Sequence, residues 1–188
     1  MKVILGSLSP RRRELIGKVI RVDETIASKA DEHCGESRPE LAVKEVALQK
    51  MGYFCGKEYD DALIITADTI VYFGGRILGK PHSREEAEVM LGGLSGNTHT
   101  VYTGVCLKRG DEVRTFVETS EVTFRVLSEK EISDYIDTGS PFDKAGGYGV
   151  QDSGFVERID GSYDNVMGLP TERLGSELET FLEESESE

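Results

Sequence analysis

An acidic residue interrupts an apolar, β-branched part of the chain near its middle. Residues 63–65 and 70–73 have the composition of a strand buried on both faces, and Asp68 lies between them. A carboxylate in such a strand is costly unless it is paired, hydrogen-bonded or bound to a metal. The pair Gly74-Gly75 predicts a tight hairpin turn that returns Lys80 to the neighbourhood of Asp68. This pattern predicts an acid and a base at the edge of a buried sheet; a satisfied core aspartate and a surface lysine are the alternative.

Three consecutive arginines follow a Ser-x-Ser-Pro turn near the N-terminus. Residues 2–6 predict a strand, Ser7 begins the turn, and Ser9 is the expected N-cap of a helix that starts with proline. Cations in a first helical turn oppose the helix dipole, so helix energetics do not explain them. A bound phosphate does, because free N–H groups and guanidinium groups suit its oxygens; a solvated basic face is the alternative. The arginines are Arg11, Arg12 and Arg13.

Two further lysines have neighbours that suggest a ligand. Lys144 and Gln151 stand in a glycine-rich segment, residues 140–154, of the kind whose backbone can approach a ligand closely. Such segments are also ordinary turns, so this signal alone is weak. Lys50 lies one position off the apolar stripe of a predicted helix, from which it can reach a cleft, although an exposed lysine is the commoner outcome.

The elements that must position these residues are helices and strands in alternation. Ser-x-x-Glu capping boxes predict helix starts at Ser37, Ser83 and Ser128. Residues 99–107 and 113–126 alternate in the manner of strands and predict an antiparallel hairpin. The histidines lack ligand partners at a telling spacing and are expected to be structural; those in question are His82 and His99. Residues 1–182 are predicted to form one α/β domain, and residues 183–188 an acidic, disordered tail.

The composition restricts the class of protein. A net charge of −13 over 188 residues argues against binding to nucleic acid polymers or to anionic membranes. An anionic small substrate therefore needs local positive charge or a divalent cation. The three cysteines have no metal-ligand spacing and predict reduced thiols, and the N-terminal apolar run is too short for a signal peptide. These features predict a cytoplasmic protein.

The sequence resembles the Maf family of nucleoside triphosphate pyrophosphatases from Ile4 to about Leu178. Four blocks in order carry the resemblance: residues 6–15; residues 67–71 with 78–81; residues 94–99 with 102–105; and residues 143–151. Two residues depart from the family pattern. Gly6 stands where the family usually has alanine, and Asp152 stands where glycine is usual.

The resemblance implies a mixed, strongly twisted α/β fold with two lobes around a deep cleft, in proteins that are often homodimers. It also implies hydrolysis of a nucleoside triphosphate to the monophosphate and pyrophosphate with a divalent cation, and Asp68 as the catalytic acid–base residue. Arg11, Thr69 and Gln151 match the residues associated with substrate choice. Their identities are those of the branch similar to dTTP/UTP pyrophosphatases, which favours pyrimidine triphosphates.

The chemistry of the side chains agrees with that reaction. Attack of water on a phosphoanhydride requires cations around the spreading negative charge and a group that positions the water. Asp68 can act as the base or as a metal ligand, and Asp31 or Glu32 can supply a further oxygen to Mg²⁺ or Mn²⁺. The candidate cations are Arg12, Arg13, Lys50, Lys80 and Lys144. The alternatives are a pyrophosphatase for 7-methyl-GTP or another modified nucleotide, and a nucleotide-binding regulator of cell division that does not hydrolyse its ligand.

Overall fold

The computed structural model of the chain describes residues 1–30 and 34–185. The strands are β1 Lys2–Leu5, β2 Glu24–Thr25, β3 Ala62–Phe73, β4 Arg76–Leu78, β5 Thr98–Arg109, β6 Glu112–Phe124 and β7 Val156–Asp160. The α-helices are α1 Pro10–Ile16, α2 Pro39–Gly52, α3 Arg84–Leu94, α4 Glu129–Asp137, α5 Tyr163–Met167 and α6 Thr171–Ser185. Short 3-10 turns lie at Lys57–Tyr59, Ser140–Asp143 and Ala145–Gly147. Across the described residues, no helix is both long and apolar enough to cross a membrane.

The strands form a mixed sheet in the order β2-β1-β3-β5-β6-β7, with β4 paired to β3. Strand β1 is parallel to β2 and β3, whereas β4 is antiparallel to β3 and β7 is antiparallel to β6. The predicted hairpin is confirmed: Phe73 pairs with Arg76 across Gly74 and Gly75, whose φ angles are 56° and 78°. Two positive φ angles suit the right-handed twist of the strands, and glycine adopts them at little cost. The mixed α/β sheet that the family resemblance implies is thus confirmed.

The chain divides into two compact units, and the first comprises Met1–Asp68, Thr103–Glu118 and Gly168–Glu188. Its core includes a cluster of side chains from β1, β3, α2 and the turn after α2, among them Ile4, Ala47, Phe54 and Ile64. A Cβ atom on Gly104 of β5 would lie 2.5 Å from the backbone oxygen of Val43 in α2. Glycine is therefore required there for α2 to approach the strand so closely.

The second unit comprises Thr69–Tyr102 and Thr119–Met167. Helices α3 and α4 bury their apolar faces against β-strand residues, with Leu91 and Ile136 in the same core cluster as Val71 and Val122. Aromatic side chains fill the cluster in edge-on contacts. These are His99, Phe124, Tyr135, Tyr148 and Phe155.

Of the three predicted capping boxes, only the last is complete. The Ser128 hydroxyl accepts a hydrogen bond from the Glu131 N–H, and the Glu131 side chain accepts from the Ser128 N–H. Ser83 caps α3, but the Glu86 carboxylate accepts from the N–H of His82, one residue earlier. The prediction for Ser37 was wrong, as described next.

Helix α2 begins without a side-chain cap, at Arg38 followed by Pro39. The Glu36 carboxylate accepts hydrogen bonds from the backbone and guanidinium N–H groups of Arg38. Those bonds lower the pKa of Glu36 to about 2. This local contact occupies the residues before the helix in place of the predicted box.

The predicted tail at residues 183–188 was wrong at its beginning. Helix α6 continues to Ser185, because the Ser185 hydroxyl bonds the carbonyl of Phe181 and the carboxylate of Glu112, and Glu184 forms an ion pair with Arg114. Residues 186–188 lie outside the described part of the chain.

Candidate active site

The interrupting carboxylate, Asp68, is paired with a lysine from α2. The Nζ atom of Lys50 lies 2.8 Å from Asp68 Oδ1 and 3.4 Å from the carbonyl oxygen of Ala67. The two side chains are only 10% and 16% exposed, so water screens the pair less than it screens a surface ion pair. The buried carboxylate thus has the partner that its position in the strand requires.

Regular elements on both sides hold this pair. Asp68 is fixed by β3, and the hydroxyl of Thr66 donates a 2.7 Å hydrogen bond to the carbonyl of Ala47, one turn before Lys50 in α2. The glycine at position 104 gives α2 its close approach to β5. The helix therefore presents Lys50 to the strand in one orientation.

The lysine expected beside Asp68 from the hairpin, Lys80, is an exposed residue beyond the end of β4. The strand ladder ends at Leu78, and the carbonyl of Gly79 accepts a 2.9 Å hydrogen bond from the N–H of Gly146. In the structure, the cation paired with Asp68 is Lys50. The segment that carries Lys80 runs beside the glycine-rich loop instead.

The turn between β1 and α1 is built by its own serines. Ser7 Oγ accepts a hydrogen bond from the N–H of Ser9 at 3.2 Å, and Ser9 Oγ accepts one from the N–H of Arg12 at 3.4 Å, which confirms the predicted N-cap. The Nε atom of Arg12 donates to the carbonyl of Gly168 at 2.8 Å. Arg11 and Arg12 are half-buried, and the third of the arginines, Arg13, is exposed.

The departure at Gly6 has a packing cause. A Cβ atom there would lie 2.6 Å from the Thr66 methyl group and 2.8 Å from the ring of Phe54. These side chains occupy the space that an alanine would need. Glycine lets β1 lie against them at the point where the chain enters the Ser-x-Ser turn.

The glycine-rich loop contains a second buried lysine. Lys144 Nζ donates to the carbonyl and the hydroxyl of Ser140, each at 2.8 Å, and to Asp143 Oδ1 at 2.7 Å. A Cβ on Gly149 would lie 2.9 Å from Lys144 Cε and 2.3 Å from Asp152 Oδ1, so a side chain at this position would displace the network. The loop glycine is thus explained by the side chains packed against it.

The residues matched to substrate choice lie in both units. Arg11 belongs to the first unit, whereas Thr69 and Gln151 belong to the second. Thr69 is half-buried in β3, directly after Asp68, and Gln151 is exposed on the glycine-rich loop. Their part in recognising a base stays a prediction.

The residues predicted to hold a metal include two that are not described. Asp31 and Glu32, the predicted extra oxygen ligands, lie outside the described residues. In the described ranges, no group of three or more His, Cys, Asp or Glu side chains could hold a metal ion. Mg²⁺ typically binds through one or two protein carboxylates together with substrate phosphates and water, and a lone carboxylate such as Asp68 is compatible with that coordination. Asp68 is the candidate protein ligand with a known place in the fold.

Two residues with clear structural roles had no assigned role in the sequence. Tyr135 looked like one of several apolar positions of α4, yet its hydroxyl bonds Asp152 and the N–H of Gly149. Gly104 stands in one of the family blocks, which was its only signal. His99 is structural, as predicted: its Nε2 atom lies 2.7 Å from the Tyr148 hydroxyl, and burial lowers its pKa to about 4.

The fold and the site together define a mixed α/β protein in which a helix lysine pairs with a half-buried carboxylate at the middle of a strand. The model of the Maf-like protein family matches residues 2–181, so the chain belongs to that family.

Two named relatives and one solved structure are similar to this chain to different extents. A dTTP/UTP pyrophosphatase of Clostridium perfringens (strain SM101 / Type A) is 43% identical over 187 residues, which is 96% of this chain and 97% of the relative. A dTTP/UTP pyrophosphatase of Bacillus cereus (strain AH187) is 47% identical over 184 residues, 96% of this chain and 95% of the relative. The Ham1 protein of Staphylococcus aureus superposes with a TM-score of 0.47 at 14% identity, covering 66% of this chain and 72% of that structure.

Proposed function

We propose that this protein hydrolyses dTTP and UTP to the nucleoside monophosphate and pyrophosphate. Relatives with that activity in their names align over nearly the whole chain at 43% and 47% identity. The observation that carries the proposal is the Lys50–Asp68 pair, which is only slightly exposed and joins an acid to a base at 2.8 Å. A protein that merely bound nucleotides would have no need for this acid in a buried strand.

Asp68 is the proposed general base. Water attacks the α-phosphorus atom, and the bond from that atom to the oxygen that bridges it to the β-phosphorus breaks. Pyrophosphate leaves with the electron pair of this bond. The carboxylate accepts the proton that the attacking water loses. Because Lys50 holds Oδ1, the orientation of the carboxylate is fixed before substrate arrives, which reduces the entropy lost in reaching the transition state.

Cations of the β1–α1 turn and of the glycine-rich region are proposed to bind the triphosphate. Arg12 lies half-buried in this turn, where its Nε atom bonds the carbonyl of Gly168, and a guanidinium group is the kind of donor that suits phosphate oxygens. Arg13 and Lys80 are exposed, as cations that meet an incoming polyanion should be. Ser7 shapes the turn that presents the arginines.

A divalent cation, Mg²⁺ or Mn²⁺, would neutralise part of the triphosphate charge when bound. Glu32 is proposed to hold it, and Asp68 is the other candidate ligand, a role that would replace its role as the base. Selection of the base is assigned to Arg11, Thr69 and Gln151, because a glutamine amide offers both a donor and an acceptor to a pyrimidine edge. A homodimer in the cytoplasm is the proposed setting.

The proposal is tested by measuring pyrophosphate release from a panel of nucleoside triphosphates with Mg²⁺ and with Mn²⁺. The panel includes dTTP, UTP, dCTP, GTP and 7-methyl-GTP. The fastest release from dTTP and UTP is expected. A preference for 7-methyl-GTP would contradict the base assignment, and nucleotide binding without release from any triphosphate would contradict the enzyme.

A further inference from the structure

One phenol hydroxyl contacts both ends of the turn that carries Gln151. The Tyr135 hydroxyl accepts a hydrogen bond from the N–H of Gly149 at 2.9 Å and donates one to Asp152 Oδ1, also at 2.9 Å. The N–H of Ser153 bonds the carbonyl of Gly149 at 3.1 Å and closes the turn. Residues 149–152 are therefore held at both ends by a single side chain from α4.

The other oxygen of the Asp152 carboxylate extends this arrangement to the start of the loop. Ser140 Oγ donates to Asp152 Oδ2 at 2.6 Å, and Lys144 Nζ donates to Ser140 Oγ at 2.8 Å. The distance from Lys144 Nζ to Asp152 Oδ2 is 3.7 Å, longer than that of either hydrogen bond to the carboxylate. Asp152 thus acts mainly as a hydrogen-bond acceptor that joins three segments, and less as the partner of a charge.

The phenol that holds the turn is well fixed. Its ring packs edge-on against Phe155, with centroids 4.9 Å apart. Burial raises the pKa of Tyr135 to about 12, so the hydroxyl keeps its proton near neutral pH and can donate to Asp152. Asp152 and Gln151 are consecutive residues of this short turn. Loss of the Asp152 contacts should therefore also change the position of Gln151.

We propose that Asp152 is a positioning residue for nucleotide recognition, which fixes the turn of Gln151 by joining Tyr135 and Ser140. This inference rests on the proposed function, because it assigns Gln151 to the base of the substrate. Asp152 would act on substrate binding more than on the chemical step, which is assigned to Asp68 in the other unit. The residue that departs from the family pattern would then be a specificity-determining feature of this chain.

The first test compares the steady-state kinetics of wild type with two variants of Asp152. Asp152→Ala should raise the KM for dTTP and UTP roughly tenfold, the effect of losing about 1.4 kcal/mol of binding, with kcat changed little. Asp152→Asn keeps one acceptor oxygen for the Tyr135 hydroxyl and replaces the other with an NH2 group that can donate to the Ser140 hydroxyl oxygen, so it should restore most of the loss. The matched control is Asp134→Ala, which removes an exposed carboxylate of α4 paired with Lys130 and should leave KM unchanged.

The second test asks whether Tyr135 and Asp152 act as one unit. Tyr135→Phe keeps the ring packing but removes the hydroxyl, so it should raise KM in the same direction. The double variant Tyr135→Phe with Asp152→Ala should be no worse than the larger single effect, because both remove the same connection. Effects on KM that multiply, or a KM that Asp152→Ala leaves unchanged, would overturn the proposal.

A third measurement separates this inference from the proposed function. Hydrogen exchange of the Gly149 amide, measured without nucleotide, reports whether the turn is held. Exchange in Asp152→Ala should be faster than in wild type and in Asp134→Ala, whatever reaction the enzyme catalyses. Unchanged exchange would refute the role of Asp152 as an anchor, whereas failure of wild type to release pyrophosphate from dTTP would refute only the proposed reaction.

Discussion

Two buried lysines of this protein meet carboxylates in different ways. Lys50 reaches Asp68 from a helix to a strand across 18 positions of sequence, and both side chains are little exposed. Lys144 meets Asp143, its neighbour in the chain, and Asp143 is 65% exposed. The first pair depends on the packing of regular elements, whereas the second is made within one loop.

The two lysine–carboxylate pairs are suited to different roles, one in the reaction and one in substrate recognition. A carboxylate held by a helix and a strand keeps its orientation, which suits a group that must position a water molecule. A lysine tied to Ser140 and Asp143 within a loop fixes the shape of that loop, which suits recognition. We therefore assign chemistry to the Lys50–Asp68 pair and substrate selection to the segment around Lys144.

The largest effect is expected for Asp68→Asn. The amide keeps the size of the carboxylate but cannot accept the proton of water, so kcat for dTTP should fall by about 10³-fold or more. Circular dichroism and thermal unfolding should show that the variant is folded. Near-normal turnover in a folded variant would refute the assignment of Asp68 as the base.

Acid should destabilise the second unit through His99. The ordinary histidine pKa is 6.5, and burial lowers that of His99 to about 4. Between these values the unfolded chain binds a proton that the folded chain does not, so the free energy of unfolding falls as pH decreases from about 6.5 to about 4. A shift of this size corresponds to about 3 kcal/mol.

Urea unfolding at several pH values measures this contribution, and His99→Gln is the control. The variant should depend on pH less steeply in that window. Contacts with Arg38 and Arg125 lower the pKa values of Glu36 and Glu131 from 4.5 to about 2, so the stability linked to them is lost mainly below pH 4.5 and is common to wild type and variant. Equal pH dependence of wild type and variant between pH 4 and 6.5 would show that His99 does not titrate in this way.

Replacing each lysine by methionine tests the comparison directly. Lys50→Met leaves Asp68 without its partner and should lower kcat by about 10²-fold. Lys144→Met should instead raise KM by roughly fivefold, the loss of about one net hydrogen bond, with a smaller change in kcat. If both variants changed kcat and KM in the same proportion, the two regions would not differ in function.

The smallest effect is expected for Arg11→Ala. Arg11 is assigned to the choice of base, so the variant should lose discrimination between dTTP and dCTP by only a few-fold, near 1 kcal/mol. Competition between the two nucleotides in one reaction measures this ratio more accurately than separate assays. Unchanged relative rates would place Arg11 outside the recognition of the base.

Much of this arrangement could be predicted from local sequence. Strand β3, the Gly74-Gly75 hairpin and the cap of α1 by Ser9 follow from patterns that lie within a few residues of one another. The mixed sheet was expected from the resemblance to the Maf family, and the structure confirms it. One local pattern gave a wrong prediction: the capping box expected at Ser37 does not form, and Glu36 bonds Arg38 in its place.

The partner of Asp68 could not be chosen from sequence. The hairpin favoured Lys80, whereas the contact with Lys50 depends on how closely α2 approaches the sheet. That approach requires Gly104, which is far from Lys50 and from Asp68 in the sequence. The role of Asp152 is likewise set by Tyr135, whose place on the apolar face of α4 gives no sign of the contacts made by its hydroxyl.

The most direct test of the account is to identify the products that wild type forms from dTTP. We expect dTMP and pyrophosphate in a ratio of one to one from the first turnover, with both products absent when Asp68→Asn is assayed under the same conditions. Formation of dTDP and orthophosphate would contradict the proposed pyrophosphatase, and unchanged product formation by Asp68→Asn would contradict the site assigned to it.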